Sequence, residues 1–371
     1  MAIGRFIWGL GYGAFSVLCA KYINEITPIE LIGPFGAMNQ LSLTFGAALP
    51  CTFALAYPHD INQKTYPQHD FYTDQYFRVI WSMPLVIAVI QVLLIMTVFR
   101  NESPVYLKEN NRDPEITEVF KKWYEPQEAK RRLDVLMAEY TKNEGNKEAQ
   151  EETIKETFLD PRIRGAAWVG FWLCTAQQFT GINAIMFYSG QLFVPADSTS
   201  GLTSVEASNI INWSNFVATI FGTLLLNYFG RRTLNIGAQI FCCIGMFGMF
   251  IFQQVSYNQT MLMVLTVAFI FGFEFGPGPI CWLYLSEICN NQATSVNTVV
   301  NWFWTLVIST STPFLFDAMS GYVWLMFGVT AVLGLAYIII VMKETRGLSK
   351  DRVKRLYYKD DAGGQAYDPI K

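Results

Sequence analysis

Charge is what this sequence has little of. Only 15% of its 371 residues are Asp, Glu, Lys or Arg, whereas a soluble domain carries about a quarter. Histidine is nearly absent: His59 and His69 are the two in the chain, and both fall in one connecting segment, which argues against a His-based metal or triad site. The seven cysteines (Cys19, Cys51, Cys174, Cys242, Cys243, Cys281, Cys289) sit inside or at the ends of apolar runs and form neither a ligand spacing nor a disulfide framework. No nucleophile–base pair or metal cluster suggests an enzyme, and no cofactor is called for. There is no basic stripe for nucleic acid, and the net charge of −3 says little about partners. No signal peptide precedes the first apolar run, which follows directly on Met1-Ala2-Ile3-Gly4-Arg5.

What remains is apolar. The chain is 52% hydrophobic and 15% aromatic, with a mean hydropathy of +0.25. Nine runs of about spanning length cover roughly residues 3–23, 35–57, 76–99, 166–193, 208–229, 233–255, 261–288, 295–316 and 321–342. The fold class is therefore an all-α polytopic membrane protein. Residues 100–164 hold 28 of the 57 charges. Alternation places this loop on the same side as residues 24–34, 230–232, 289–294 and 343–371, and together these carry 23 of the 27 Lys and Arg residues. That side is cytoplasmic by the positive-inside rule, which sets Met1 outside. Four regions follow: 1–99, a transmembrane part; 100–164, a cytoplasmic helical loop; 165–342, six transmembrane helices; and 343–371, a cytoplasmic tail.

Inside the loop, Asp113-Pro114-Glu115 reads as an N-cap followed by Pro at the first helical position. Ile116, Val119, Phe120 and Trp123, and then Leu133, Leu136, Met137 and Tyr140, recur at helical spacing. They predict two amphipathic helices lying on the cytoplasmic face. A calmodulin target is the sharper alternative, disfavoured by acids and bases mixed on both helices. Asp160-Pro161 is expected to cap the fourth span. Asn258-Gln259-Thr260 is a glycosylation sequon in a loop too short for modification.

The polar residues within the spans carry the chemistry. In Ala176-Gln177-Gln178-Phe179-Thr180-Gly181-Ile182-Asn183, two amides, a Thr-Gly pair and an Asn sit mid-span, where amides need partners. On a regular helix Gln177, Gly181, Ala184 and Tyr188 share a face, while Gln178 and Asn183 point elsewhere unless the helix breaks near Gly181. Two readings stand side by side: a broken helix lining a wet cavity, or amides joining helices. The span 208–229 aligns Asn212, Asn215, Thr219 and Gly222. The span 261–288 holds Gly276-Pro277-Gly278-Pro279, which removes amide donors, and Glu274, the one acid well inside a span. An intramembrane acid marks a functional site by default, its alternative being a protonated carboxyl bonded to a neighbouring helix. The span 295–316 aligns Thr298, Asn301, Thr305 and Thr312.

A faint internal repeat links the halves. Tyr22-x-x-Glu25-Ile26 and Tyr284-x-x-Glu287-Ile288 each end a span on the cytoplasmic side, and Glu102-Ser103-Pro104 and Glu344-Thr345-Arg346 also close spans there. Such repeats mark transporters built from symmetric halves.

With Gly4-Arg5, Gln40-Leu41, Gly230-Arg231-Arg232, Trp282 and Asn301-Trp302 added, these motifs fall in one order, and the chain resembles the sugar porter family of the major facilitator superfamily. The resemblance implies a twelve-helix fold of which this sequence matches helices four to twelve; a truncated gene model or fragment would account for an outside Met1. It implies that Gln40, Gln177, Gln178, Asn183, Asn215, Glu274, Trp282 and Asn301 hold hexose hydroxyls, and that Phe187 and Tyr188 form an outer gate. It implies a cytoplasmic charge network, here reduced to Glu25, Glu102, Arg231, Arg232, Glu287 and Glu344. Ile32, Val105 and Asn227 stand where the family has charges, so a weaker latch and a shift toward the inward-open state are expected. The implied function is alternating-access transport of a monosaccharide such as glucose, facilitative or proton-coupled, with the lipid bilayer, the sugar and protons as partners. A sugar sensor on the same fold, or a non-functional remnant, is the alternative.

Overall fold

The computed structural model describes residues 2–27, 32–55, 75–145, 153–192, 203–348 and 350–358. Among these residues the chain is helical throughout, without a strand. His59, His69 and most of the outer loop near them lie outside the described residues. The chain divides into two compact units: Met1–Asn39 with His69–Glu151, and Gln40–Gln68 with Glu152–Lys371.

The first unit contains α1 (Ala2–Ile26), the opening of α2 (Ile32–Leu55) and α3 (Gln75–Thr97). It also holds three cytoplasmic helices, α4 (Pro104–Glu109), α5 (Asp113–Trp123) and α6 (Pro126–Gly145). The two amphipathic repeats do form α5 and α6. Their apolar faces close on each other: Leu107, Ile116, Val119, Phe120 and Ala129 are buried, with Trp123, Leu133, Leu136 and Met137 packed around them. The apolar stripe of each helix is thus covered by its partner. The expected Asp113 cap is also displaced. Arg112 occupies the N-cap without a side-chain capping bond, and Asp113 instead pairs with Lys108 at 3.1 Å.

The second unit contains the remainder of α2 and then α7 (Ile154–Leu159), α8 (Arg164–Gln178), α9 (Ile182–Leu192) and α10 (Ser204–Tyr228). They are followed by α11 (Arg231–Phe250), continued by a π turn over Ile251–Val255, and by α12 (Gln259–Phe275) and α13 (Pro277–Ile288). α14 (Asn291–Met319), α15 (Tyr322–Val341) and the short α16 (Lys350–Arg355) complete it. Asp160 does not cap the fourth span. It terminates α7, whose Thr153–Glu156 capping box was not expected, and α8 begins only at Arg164. Asn258 of the sequon is the N-cap of α12, its side chain accepting from the Met261 amide.

Seven helices, or helix pairs read through a break, are long and apolar enough to cross a membrane among the described residues. They account for seven of the nine expected spans. The second expected span is α2, which carries Asn39 and Gln40; the fourth is divided between α8 and α9.

Two apolar cores hold the second unit. One gathers Ile182, Ile185, Ile211, Met246, Met249, Phe269, Trp324 and Phe327. The other gathers Leu173, Cys174, Ile280, Cys281, Tyr284, Leu285 and Ile338, with Val353 and Leu356 from the tail. Between lipid-soluble helices there is no hydrophobic drive of the aqueous kind, so close packing and interhelical hydrogen bonds must hold the bundle. Gly222 shows how close the approach is: a Cβ there would overlap the Glu274 carbonyl. The polar residues of α8 fall in the chain between Cys174 of one core and Ile182 of the other.

Candidate functional site

The site is built on two helix breaks. α8 ends at Gln178, Gly181 takes φ +89°, and α9 restarts at Ile182. Only glycine adopts that conformation readily. The Thr180 hydroxyl donates to Gln177 O at 2.7 Å and the Thr330 hydroxyl to Phe179 O at 2.7 Å, which takes up carbonyls that the break frees. The second break is Gly276, between α12 and α13, where Pro277 and Pro279 supply no amide donors.

The two breaks are bonded to one another. Gln177 Nε2 donates to Pro277 O at 2.8 Å and to Gly278 O at 3.1 Å. Its Oε1 accepts from Asn301 Nδ2 at 2.6 Å. Asn301 Oδ1 in turn accepts from Gln178 Nε2 at 2.9 Å, and Gln178 Oε1 accepts from Asn183 Nδ2. Gln177, Gln178 and Asn301 are 5%, 6% and 2% exposed, so each amide depends on these partners. Gln178 and Asn183, which a continuous helix would separate, meet because the chain turns at Gly181.

Glu274 forms a second node. It is 2% exposed; Thr219 Oγ1 lies 3.1 Å from Oε2, and Gln40 Nε2 lies 3.4 and 3.5 Å from its two oxygens. Asn215, one turn from Thr219, is buried, and its Oδ1 has no hydrogen-bond partner. Trp282 lies half-buried on α13 and is not bonded to either node. Tyr188 donates to Ser309 O at 2.7 Å, tying α9 to α14, while the adjacent Phe187 is 62% exposed. Thr330 and Asn297, whose Nδ2 donates to Ala167 O at 3.3 Å, were not foreseen. Neither stands in a motif, and only the fold brings them to their acceptors.

The charged span ends of the second unit find partners within it, except that the buried Nε of Arg232 has none. Arg231 pairs with Glu287 at 3.2 Å. Glu344 accepts from the Arg231 and Arg232 amides at 2.8 and 3.1 Å, capping α11 where a carboxylate is favoured. Arg232 donates to Ile339 O at 2.8 Å.

The faint repeat is a repeat of bonds as well as letters. In the first unit Tyr22 OH donates to Asn101 O at 3.2 Å, and Ser103 donates to Glu25. In the second, Tyr284 OH donates to Lys343 O at 2.8 Å, and Thr345 donates to Glu287 at 2.6 Å. In both, the Tyr reaches the carbonyl just before a Glu (Glu102, Glu344), and the hydroxyl just after that Glu reaches the acid of the Tyr-x-x-Glu pair.

A family model described as "Sugar (and other) transporter" matches residues 1–357. The chain belongs to the sugar transporter family. It is accordingly a multi-pass membrane protein, and the resemblance read from its motifs is upheld. Among members of the family, the chain is 27% identical over 368 residues to "Hexose transporter 1" of Toxoplasma gondii, covering 94% of this chain and 62% of that protein. It is 28% identical over 366 residues to "Solute carrier family 2, facilitated glucose transporter member 2" of Rattus norvegicus, covering 96% of this chain and 66% of the relative. The chain thus spans less than two thirds of these relatives' lengths. Among solved structures, the proton:xylose symporter XylE bound to 6-bromo-6-deoxy-D-glucose superposes with a TM-score of 0.76 at 22% identity, over 96% of this chain and 73% of that one. The sugar transporter fold here is therefore that of the major facilitator superfamily, in part.

Proposed function

We propose that the chain binds a monosaccharide at the amide and carboxyl groups of its second unit and carries it across the membrane by alternating access, leaving it chemically unchanged. The observation that carries this reading is the convergence of Gln177, Gln178, Asn183 and Asn301 into one buried network. Amides donate and accept at once, as sugar hydroxyls do. A ligand with several hydroxyls can exchange its bonds for those that the amides now make to each other. The orphan Oδ1 of Asn215 and the carboxyl of Glu274, with Gln40 against it, extend the same polar lining. Trp282 offers an indole face and one N–H donor to a sugar ring. The names carried by relatives, hexose and glucose transporters, point to the same ligand class.

In this reading Phe187 and Tyr188 gate the outer side, with Tyr188 held to α14 when closed. Glu25, Glu102, Arg231, Arg232, Glu287 and Glu344 set the cytoplasmic side. Residues 1–99 and 165–342 serve as the membrane parts, 100–164 as the helical loop and 343–371 as the tail. Sugar binding drives the change by stabilising one arrangement over the other.

Counterflow of labelled D-glucose into proteoliposomes, with L-glucose as control, tests the proposal. Stereoselective counterflow that is lost in Gln177→Leu and Asn301→Leu is expected. Flux equal to that of empty liposomes would overturn it.

A further inference from the structure

Glu274 sits in the membrane interior without a counter-charge. Among the described residues no Lys or Arg pairs with it. Its hydrogen-bonding neighbours are Gln40 on α2 and Thr219 on α10, and Asn215 lies one turn from Thr219 on the same helix. On α11, which packs against α12, the titratable side chains Cys242 and Cys243 are buried; among the described residues no charged group faces Glu274 from these helices. A bare carboxylate enclosed in this way is costly.

The single proton of the Thr219 hydroxyl bears on which form is held. Thr219 Oγ1 lies 2.8 Å from Asn215 O and 3.1 Å from Glu274 Oε2. A hydroxyl has one proton to give. Given to the nearer acceptor, the Asn215 carbonyl, it leaves the Thr219 oxygen facing a carboxyl oxygen with no hydrogen between them. That contact is satisfied only if the carboxyl carries a proton and donates it. The Gln40 contacts, at 3.4 and 3.5 Å, are longer than an ordinary N–H···O bond, about 2.7–3.2 Å. Gln40 therefore does little to hold a negative charge. Two further buried oxygens lack donors: Oδ1 of Asn215, one turn from Thr219, and Oδ1 of Asn235, which lies against the Gly276 break.

We propose that Glu274 is a proton-binding site: the carboxyl is protonated in the enclosed arrangement seen here and gives up its proton when a sugar enters. Resting on the sugar-binding reading above, the exchange follows from simple counting. A sugar brings hydroxyl donors and water to the acid. These stabilise the anion and displace the weak Gln40 contact, and the proton passes to solvent as the site is wetted. Return to the enclosed state takes a proton back, so the sugar cycle and proton binding are linked at this residue.

Calorimetry of D-glucose binding to the full chain in nanodiscs, in two buffers of different ionisation enthalpy, counts the protons exchanged. Net proton release is expected in the wild type. Affinity should rise with pH by up to tenfold per unit while Glu274 is protonated in the free protein. In Glu274→Gln the release and the pH dependence should both vanish. Glucose binding with no proton exchange, proton uptake in place of release, or release that persists in Glu274→Gln would overturn the proton site and leave the sugar site standing. Absence of glucose binding in the wild type would overturn both. If Glu274→Gln does not fold or bind, Thr219→Val carries the test. Removing an acceptor for the carboxyl proton should move the pH dependence to lower pH, whereas removing a donor to the anion would move it higher and overturn the assignment.

Discussion

Replacing Asn301 with Leu removes the residue that joins Gln177 to Gln178 while keeping the branching and the number of side-chain heavy atoms. Two buried bonds go at once: Asn301 Nδ2 to Gln177 Oε1 at 2.6 Å and Gln178 Nε2 to Asn301 Oδ1 at 2.9 Å. Interhelical hydrogen bonds in membranes are each worth about 0.6 kcal/mol on average and at most about 1.7, so the bundle should lose about 1–3 kcal/mol. Gln177 keeps its bonds to Pro277 O and Gly278 O and should stay in place, whereas Gln178 loses the stronger acceptor of its NH₂. If the same amides bind sugar, affinity should fall as well, by about tenfold to a hundredfold for 1.4–2.8 kcal/mol. The two effects separate by assay. Thermal unfolding in detergent reads the first, and equilibrium binding of labelled D-glucose at a temperature where both proteins are folded reads the second. A double-mutant cycle with Gln178→Leu should show coupling of about 0.5 kcal/mol or more. Unchanged stability together with additive effects in the cycle would refute the network. A loss of stability with unchanged sugar affinity would mean that the amides hold helices together and nothing else.

Gly181→Ala must place a Cβ at φ +89°, 2.8 Å from both Phe327 and Met246. Strain of this kind costs about 1–3 kcal/mol, visible as a lower unfolding temperature, and an unchanged one would contradict the break. Gly222→Val should push α10 away from the Glu274 carbonyl and reduce the yield of folded protein in size-exclusion profiles. Thr345→Val and Ser103→Ala each delete the hydroxyl bond to a repeat acid, Glu287 or Glu25. Each should lower stability by about 1 kcal/mol, and similar losses from the two would support the equivalence of the paired motifs.

Much of this was legible in the residues. The apolar runs gave the spans because a bilayer leaves the backbone little choice but the helix, and Gly181 with its neighbouring amides suggested a break. The letters Tyr-x-x-Glu and Glu-Ser/Thr, too short to weigh much alone, showed a repeat; the bonds that fill it in both units came from the structure. What could not be read were bonds between distant helices. Nothing in the sequence says that Gln177 should reach the carbonyls of Pro277 and Gly278, a hundred residues away, because a carbonyl carries no identity in the sequence. Nor could local pattern reveal that the amphipathic face of α5 would close on α6, since periodicity gives a face and leaves its partner open. The Asp-Pro pairs misled for a different reason. Pro tolerates several early helical positions, so Asp113-Pro114 and Asp160-Pro161 mark turns near helix ends without fixing which residue is the cap.

The most direct measurement is saturable binding of labelled D-glucose to the purified chain in nanodiscs, set beside Gln177→Leu. The amide network predicts binding that unlabelled D-glucose displaces, that L-glucose does not, and that the substitution weakens at least tenfold. Wild-type binding that is absent, or indifferent to the loss of Gln177, would contradict it.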